Sequence, residues 1–134
     1  MASRLTLRLI TPRSALLDVE CDEVRAPGPN GSFGVLPGHA AYVATLDAGP
    51  LLYRDTEGYH AYAVVDGFVE VCDDVVTVLA EEAEAAASIS LEDEEQAIAE
   101  ARRRMEGLSP TSDAYKKEAA VIRRSAARAL TARL

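Results

Sequence analysis

The residues able to do chemistry are few and scattered. His39 and His60 are the only histidines, and neither has a serine or cysteine at a spacing that would make it the base of a nucleophilic pair. A metal site needs at least three converging ligands, and no His/Cys/Asp/Glu grouping in the sequence has that spacing. Glu81, Glu82 and Glu84 could imitate an acid/base pair, but crowded carboxylates at a junction between segments read as a solvated cluster. The run Gly28-Pro29-Asn30-Gly31-Ser32-Phe33-Gly34 is glycine-rich, yet it has no GxxxxGK[ST] and no helix after it to receive a phosphate. It reads as turns with close backbone approach. Cys21 and Cys72 have no CxxC context; in a reducing compartment both stay thiols and are expected to be buried as small apolar residues. The expectation is a chain with no catalytic residues, no metal and no cofactor.

The elements that would position such residues fall into two kinds. Leu5, Leu7 and Leu9 alternate with Thr6 and Arg8, the period of a half-buried strand. Turn chemistry then recurs at Pro27 to Gly31, Pro37-Gly38, Gly49-Pro50, Asp55 to Gly58, Asp66-Gly67 and Asp73-Asp74. Between these lie the β-prone runs Tyr59 to Val65, Phe68 to Cys72 and Val75 to Leu79, the last two spaced as a tight hairpin. Near Glu81 the composition changes to Ala, Glu and Arg. Ser90-Leu91-Glu92-Asp93 fits a capping box. Ile98, Ala101, Met105 and Leu108 form an apolar seam, Gly107 is placed to end that helix, and Ser109-Pro110 to open another. The fold class expected is α+β: an N-terminal antiparallel β-sandwich over residues 1–87, then a C-terminal antiparallel two-helix hairpin over 88–134.

Charge divides the same way. The net charge of −8 argues against nucleic acid as a partner. It averages a body at −9 over residues 1–90, five acids between 91 and 100, and a tail at +6 over residues 101–134. At about 100° per residue, Tyr115, Ala119, Ile122, Ala126, Ala129 and Leu130 share one face of the last helix. Lys116, Lys117, Arg123, Arg124 and Arg128 lie opposite. An alanine-rich docking face gains little from burial compared with about 1.5–3 kcal/mol for each Leu or Ile, while alanine keeps the segment helical when undocked. The basic face suits an acidic protein surface. The apolar side lacks the Trp, Phe or Leu stripe of a membrane-inserting helix, and no run of about 18 apolar residues is present to span a bilayer. No secretory leader is apparent at the N-terminus, so the chain is expected to stay where it is made.

Several ordered motifs carry a family resemblance. Leu9-Ile10-Thr11-Pro12, Gly31-Ser32-Phe33-Gly34-Val35-Leu36-Pro37-Gly38-His39-Ala40, Leu46-Asp47-Ala48-Gly49, Asp66-Gly67-Phe68-Val69-Glu70-Val71 and Val75-Val76-Thr77-Val78-Leu79-Ala80 resemble the epsilon subunit of F-type ATP synthase. The resemblance covers essentially the whole chain. It implies a non-catalytic subunit of the central stalk, on the cytoplasmic face of the inner membrane, coupling proton flow to ATP synthesis. Its implied contacts with the gamma subunit and the c-ring run through Gly31, Ser32, Phe33, Val35, Leu36 and His39. It also implies that the hairpin can extend to the alpha and beta subunits and restrain ATP hydrolysis, with Lys116, Lys117, Arg123, Arg124 and Arg128 as the gripping residues. A free-standing sandwich adaptor with a regulatory helical arm is the alternative from another class, and an enzyme a more distant one.

Two departures from the family pattern stand out. Asp66 occupies a position often held by glycine in the family. The Ile/Leu-Asp-x-x-Arg-Ala motif through which some relatives bind ATP is here Leu91-Glu92-Asp93-Glu94-Glu95-Gln96. Glu95 stands in place of the arginine, so weak or absent ATP binding is expected.

Overall fold

The computed structural model describes residues 4–134. Eight strands precede two helices: β1 (Leu5–Ile10), β2 (Ala15–Cys21), β3 (Glu23–Gly28), β4 (Gly31–Val35), β5 (Tyr42–Leu46), β6 (Gly49–Asp55), β7 (Gly58–Cys72), β8 (Val75–Ala85), α1 (Leu91–Met105) and α2 (Asp113–Ala132). A 3-10 turn at Ala86–Ser88 separates β8 from α1.

The strands run in the order β2-β1-β8-β7-β6-β3-β4, with β5 also paired to β7. All pairings are antiparallel except β1 with β8, which is parallel in register Leu7↔Val76 and Leu9↔Val78. The two longest strands organise the sandwich. The first part of β7 pairs with β6, from Asp55↔Gly58 to Gly49↔Val64. Its second part pairs with β5, from Leu46↔Gly67 to Tyr42↔Val71. Strand β8 accompanies β7 along its length and passes β1 on its other edge. One continuous ribbon thus belongs to both halves of the sheet, and those halves close over one core.

That core is aliphatic, as the scarcity of aromatics requires. Leu5, Leu7 and Leu9 of β1 are fully buried with Val24, Val35, Leu51, Val64 and Val78. Each such side chain contributes about 1.5–3 kcal/mol by leaving water, and the alternation read from the sequence is the one that points them inward.

The ribbon turns at Asp66-Gly67, where φ is +55° and +136°. Asp66 adopts the left-handed region that Asp tolerates better than most residues. At Gly67 there is no choice of residue: a Cβ would lie 1.8 Å from the carbonyl oxygen of Leu79 on the neighbouring strand. The β7–β8 turn is resolved as well. Asp73 and Asp74 both have positive φ, +49° and +62°, the pattern of a two-residue type I′ turn matched to strand twist.

The sequence-based boundaries shift in three places. The two runs Tyr59 to Val65 and Phe68 to Cys72 form one bent strand. Strand β8 continues to Ala85, through the glutamates read as a junction, because successive residues there still ladder with β7 from Val65↔Glu82 to Tyr62↔Ala85. In the tail, Ser90 caps α1 by accepting from the Asp93 amide at 3.3 Å. Gly107, with φ of +78°, follows the helix end. The cap of α2, however, is Ser112, which accepts from the Tyr115 amide. Ser109 and Pro110 lie in the preceding turn, where the Ser109 carbonyl accepts from the Ser112 amide and hydroxyl.

Candidate functional site

Three surfaces of the molecule could meet a partner. The first is the loop after β4. The Gly38 amide donates to an Asp74 carboxylate oxygen at 2.8 Å, fastening this loop to the β7–β8 turn. Phe33 meets Tyr42 edge-on at 5.4 Å between ring centres, and His39 approaches Tyr42 at 6.1 Å. Leu36 is 54% exposed beside them. Among the residues expected to contact the stalk partners, Phe33, Leu36 and His39 are therefore gathered at this end. Gly31 and Ser32 lie elsewhere, at the β3–β4 tip beside α2. Val35 is fully buried in the core; it holds the sandwich together and has no surface to offer. Nothing at His39 suggests chemistry: its Nδ1 is 2.7 Å from the Ala40 carbonyl.

The second surface escaped the sequence reading. Phe68 pairs with Leu79 across β7–β8, and Leu79 with Ile10 across β8–β1. Phe68 and Leu79 are 57% and 48% exposed. They border a groove of about 330 Å³ that also includes Pro12 and Gly67. A contiguous apolar row on the outer face of a sheet marks an interaction surface more than scattered apolar residues do. The available signal was Phe68 falling out of phase with the buried Val69 and Val71.

The third surface is the hairpin, and it changes the picture drawn from charge. Helices α1 and α2 lie antiparallel, as their crossed ion pairs show. Arg104 near the end of α1 donates to Glu118 at 3.3 Å, while Arg133 beyond α2 donates to Glu95 at 3.1 Å. Helix α2 rests on β6 and β7. Its buried residues are Ser125, Ala127, Ala129 and Thr131; of the apolar face expected, Ala129 is buried and Tyr115, Ala119 and Ile122 are half-buried, while Ala126 and Leu130 are exposed where they border a groove with Pro27, Asp47 and Pro50 of the sandwich. The basic face is not left to solvent either, because its arginines reach the acidic sandwich.

Arg123 donates through Nη2 to Asp66 at 2.7 Å and also to Asp47. Arg124 donates to both oxygens of Glu82, at 2.8 and 3.1 Å. Arg128 donates to Glu94 of α1 at 2.6 Å and to Glu84 of β8 at 2.8 Å. Glu82 and Glu84 are thus not an idle solvated cluster. Lys116 and Lys117 stay exposed, and neither makes an ion pair among the described residues. The five basic residues grouped by sequence divide into three engaged within the chain and two left outward.

Hydrogen bonding to Arg123, and then to the Ala48 amide, holds the Asp47 carboxyl below its usual range. Hydrogen bonds from Tyr59 and Arg25 do the same for Glu23, and His60 does so for Asp55. A carboxyl with a lowered folded-state pKa contributes stability above its unfolded value, about 3.9 for Asp, and loses it as pH falls through the lowered one. The thermal midpoint should therefore be flat from about pH 8 to 5 and decline below about pH 4. A thermal scan series showing maximal stability near pH 3 would contradict this assignment. Neither thiol is activated. Burial pushes Cys21 up, the Asp73 carboxylate pushes Cys72 up, and both are free. Cys72 is exposed, which corrects the expectation that both cysteines are buried. No group of ligands that could hold a metal occurs among the described residues.

The fold is that of a β-sandwich carrying an ion-paired helical hairpin. Residues 4–86 match the family model for the ATP synthase delta/epsilon chain, beta-sandwich domain. The ATP synthase epsilon chain of Myxococcus xanthus (strain DK1622) is 40% identical over 126 residues, covering 94% of this chain and 93% of the relative. That of Geobacter metallireducens (strain ATCC 53774 / DSM 7210 / GS-15) is 42% identical over 125 residues, covering 93% and 91%. In fold, the chain is similar to a chain of the Euglena gracilis mitochondrial ATP synthase (OSCP/F1/c-ring) at a TM-score of 0.84 and 22% identity, covering 94% of this chain and 79% of that one. A chain of the Tetrahymena thermophila mitochondrial ATP synthase central stalk/c-ring aligns at 0.61 and 18% identity, covering 97% and 96%. The chain belongs to the epsilon-chain family of ATP synthases. Its role is that of a non-catalytic central-stalk subunit of an F-type enzyme, coupling rotation to ATP synthesis.

Proposed function

We propose that the chain works as two functional units: residues 1–87 attach it to the rotor and residues 88–134 regulate. The attaching unit seats on the gamma subunit through the apolar row of Ile10, Phe68 and Leu79. The loop carrying Leu36 and His39, with Phe33 and Tyr42 behind it, meets the c-ring. The assembly is peripheral, on the cytoplasmic face of the membrane, and no described helix is long and apolar enough to cross a bilayer. In the extended state the basic residues of α2 reach acidic surfaces of the alpha and beta subunits and restrain ATP hydrolysis.

One observation supports the regulatory half above the others: how the hairpin is held. Helix α2 is fully buried only at alanine, serine and threonine, and ties itself to the sandwich by side-chain ion pairs. Neither device contributes as much as the aliphatic core, so the hairpin can leave while the sandwich stays folded. Deleting residues 109–134 should leave the sandwich on the purified complex and raise its ATP hydrolysis about threefold or more, an easing of restraint of at least ~0.6 kcal/mol. Hydrolysis unchanged by that deletion would remove the inhibitory role.

A further inference from the structure

The sandwich carboxylates that receive the arginines of α2 come from three separate places. Asp47 lies in the β5–β6 turn, Asp66 at the bend of β7, and Glu82 and Glu84 on the late part of β8. They converge only once the sandwich has folded. Asp47 and Asp66 both grip the single guanidinium of Arg123. Asp66 occupies the left-handed residue of the bend, so the same backbone feature that redirects β7 also presents this carboxylate to α2. A glycine there would permit the bend and supply no acceptor.

The remaining ion pairs divide by where they would go if the hairpin left. Arg104–Glu118, Arg133–Glu95 and Arg128–Glu94 lie within the tail and would travel with it. Arg123–Asp47, Arg123–Asp66, Arg124–Glu82 and Arg128–Glu84 would break. The four bed carboxylates are 37–50% exposed, so each pair alone is weak and open to screening by salt. Together they account for every α2 arginine in the set expected to face an outside acidic surface.

We propose that Asp47, Asp66, Glu82 and Glu84 form an internal acidic bed that competes with the acidic partner for Arg123, Arg124 and Arg128, with the Asp47–Arg123–Asp66 clamp as its catch. The inference rests on the reading of α2 as a partner-facing helix and adds what regulates its availability. Occupation of the bed and of the partner are mutually exclusive, because the same guanidinium groups serve both. Lys116 and Lys117 stay outside this competition and remain available in either state.

The test uses the full isolated chain, labelled for energy transfer at Cys72 and at a Thr111→Cys substitution in the exposed turn between the helices. Asp66→Asn keeps a side chain suited to the left-handed bend and removes the charge. Asp47→Asn with Asp66→Asn should raise the undocked fraction about tenfold, as should raising salt from about 0.05 to 0.5 M in the parent. Arg123→Gln should act similarly, and combining it with the two aspartate changes should add little. An undocked fraction within twofold of the parent, or fully additive effects, would overturn the catch. A synthetic helical peptide rich in Glu and Asp should bind the Asp47→Asn/Asp66→Asn variant about tenfold more tightly than the parent. Equal affinity, or binding to neither, would overturn the competition. Both readouts are independent of the hydrolysis assay, so failure of the inhibitory role and failure of the catch give different results.

Discussion

Replacing Gly67 by alanine should lower the thermal midpoint of the isolated chain by about 15–30 °C, corresponding to about 3–5 kcal/mol. The cost has two sources. A φ of +136° lies in a region that residues with a Cβ rarely adopt. The new Cβ would also fall 1.8 Å from the Leu79 carbonyl oxygen and 2.9 Å from its carbon, atoms of a backbone that cannot swing aside. Relief requires parting β7 from β8 beside Gly67↔Ala80 and Phe68↔Leu79, so the apolar row would suffer with the core. Circular dichroism melts suffice to check this. A midpoint within about 5 °C of the parent would show that the ribbon can bend without glycine.

The second large effect is expected at Arg128. Its side chain is 16% exposed and lies between Glu94, 10% exposed by side chain, and Glu84. Burial works against the Arg128 charge, yet the hydrogen bonds to Glu94 and Glu84 outweigh it and hold the guanidinium more firmly protonated than usual. Arg128→Met fills similar space and leaves Glu94 a nearly buried carboxylate without its cation. Removing one member of a buried pair costs about 3–5 kcal/mol, and partial exposure here reduces that to about 2–3 kcal/mol. Adding Glu94→Gln should recover most of the loss, because the orphaned charge is then gone. The measurement is helical circular dichroism of the two variants against temperature. Equal losses in the single and double variants would show that Arg128 acts by packing alone.

Legibility from the sequence followed the range of the forces involved. The buried face of β1 was plain from Leu5, Leu7 and Leu9, since strand alternation is local. Ser90 and Gly107 were equally plain, because caps act within one helical turn. The ion pairs of α2 were not legible. Arg123 finds Asp47 and Asp66, 76 and 57 residues away in sequence, and nothing local says which face of a helix will meet a distant acidic surface. The apolar face read from the sequence holds in part: Ala129 is buried and Tyr115, Ala119 and Ile122 are half-buried, while Ala126 and Leu130 are exposed. An apolar pattern does not show that Arg123, Arg124 and Arg128 reach the sandwich while Lys116 and Lys117 stay in water. The motif Gly31 to Ala40 marked a region well but overstated its unity, because strand β4 places Val35 in the core and Gly31 at the opposite tip. The row formed by Ile10, Phe68 and Leu79 required the registers of two strand pairs and was beyond any single-segment pattern.

The continuous β7–β8 ribbon has a mechanical consequence. A twisting load entering at the outer row passes along covalent backbone and rungs loaded side by side into both halves of the sandwich, which makes the body stiff. The hairpin hangs from that body by the short turn at Ala86–Ser88 and by side-chain contacts that can be peeled one after another. Under strain the molecule should yield first at this seam, as a weak link protects a shaft, and the part that keeps its grip on the rotor would be the last to deform.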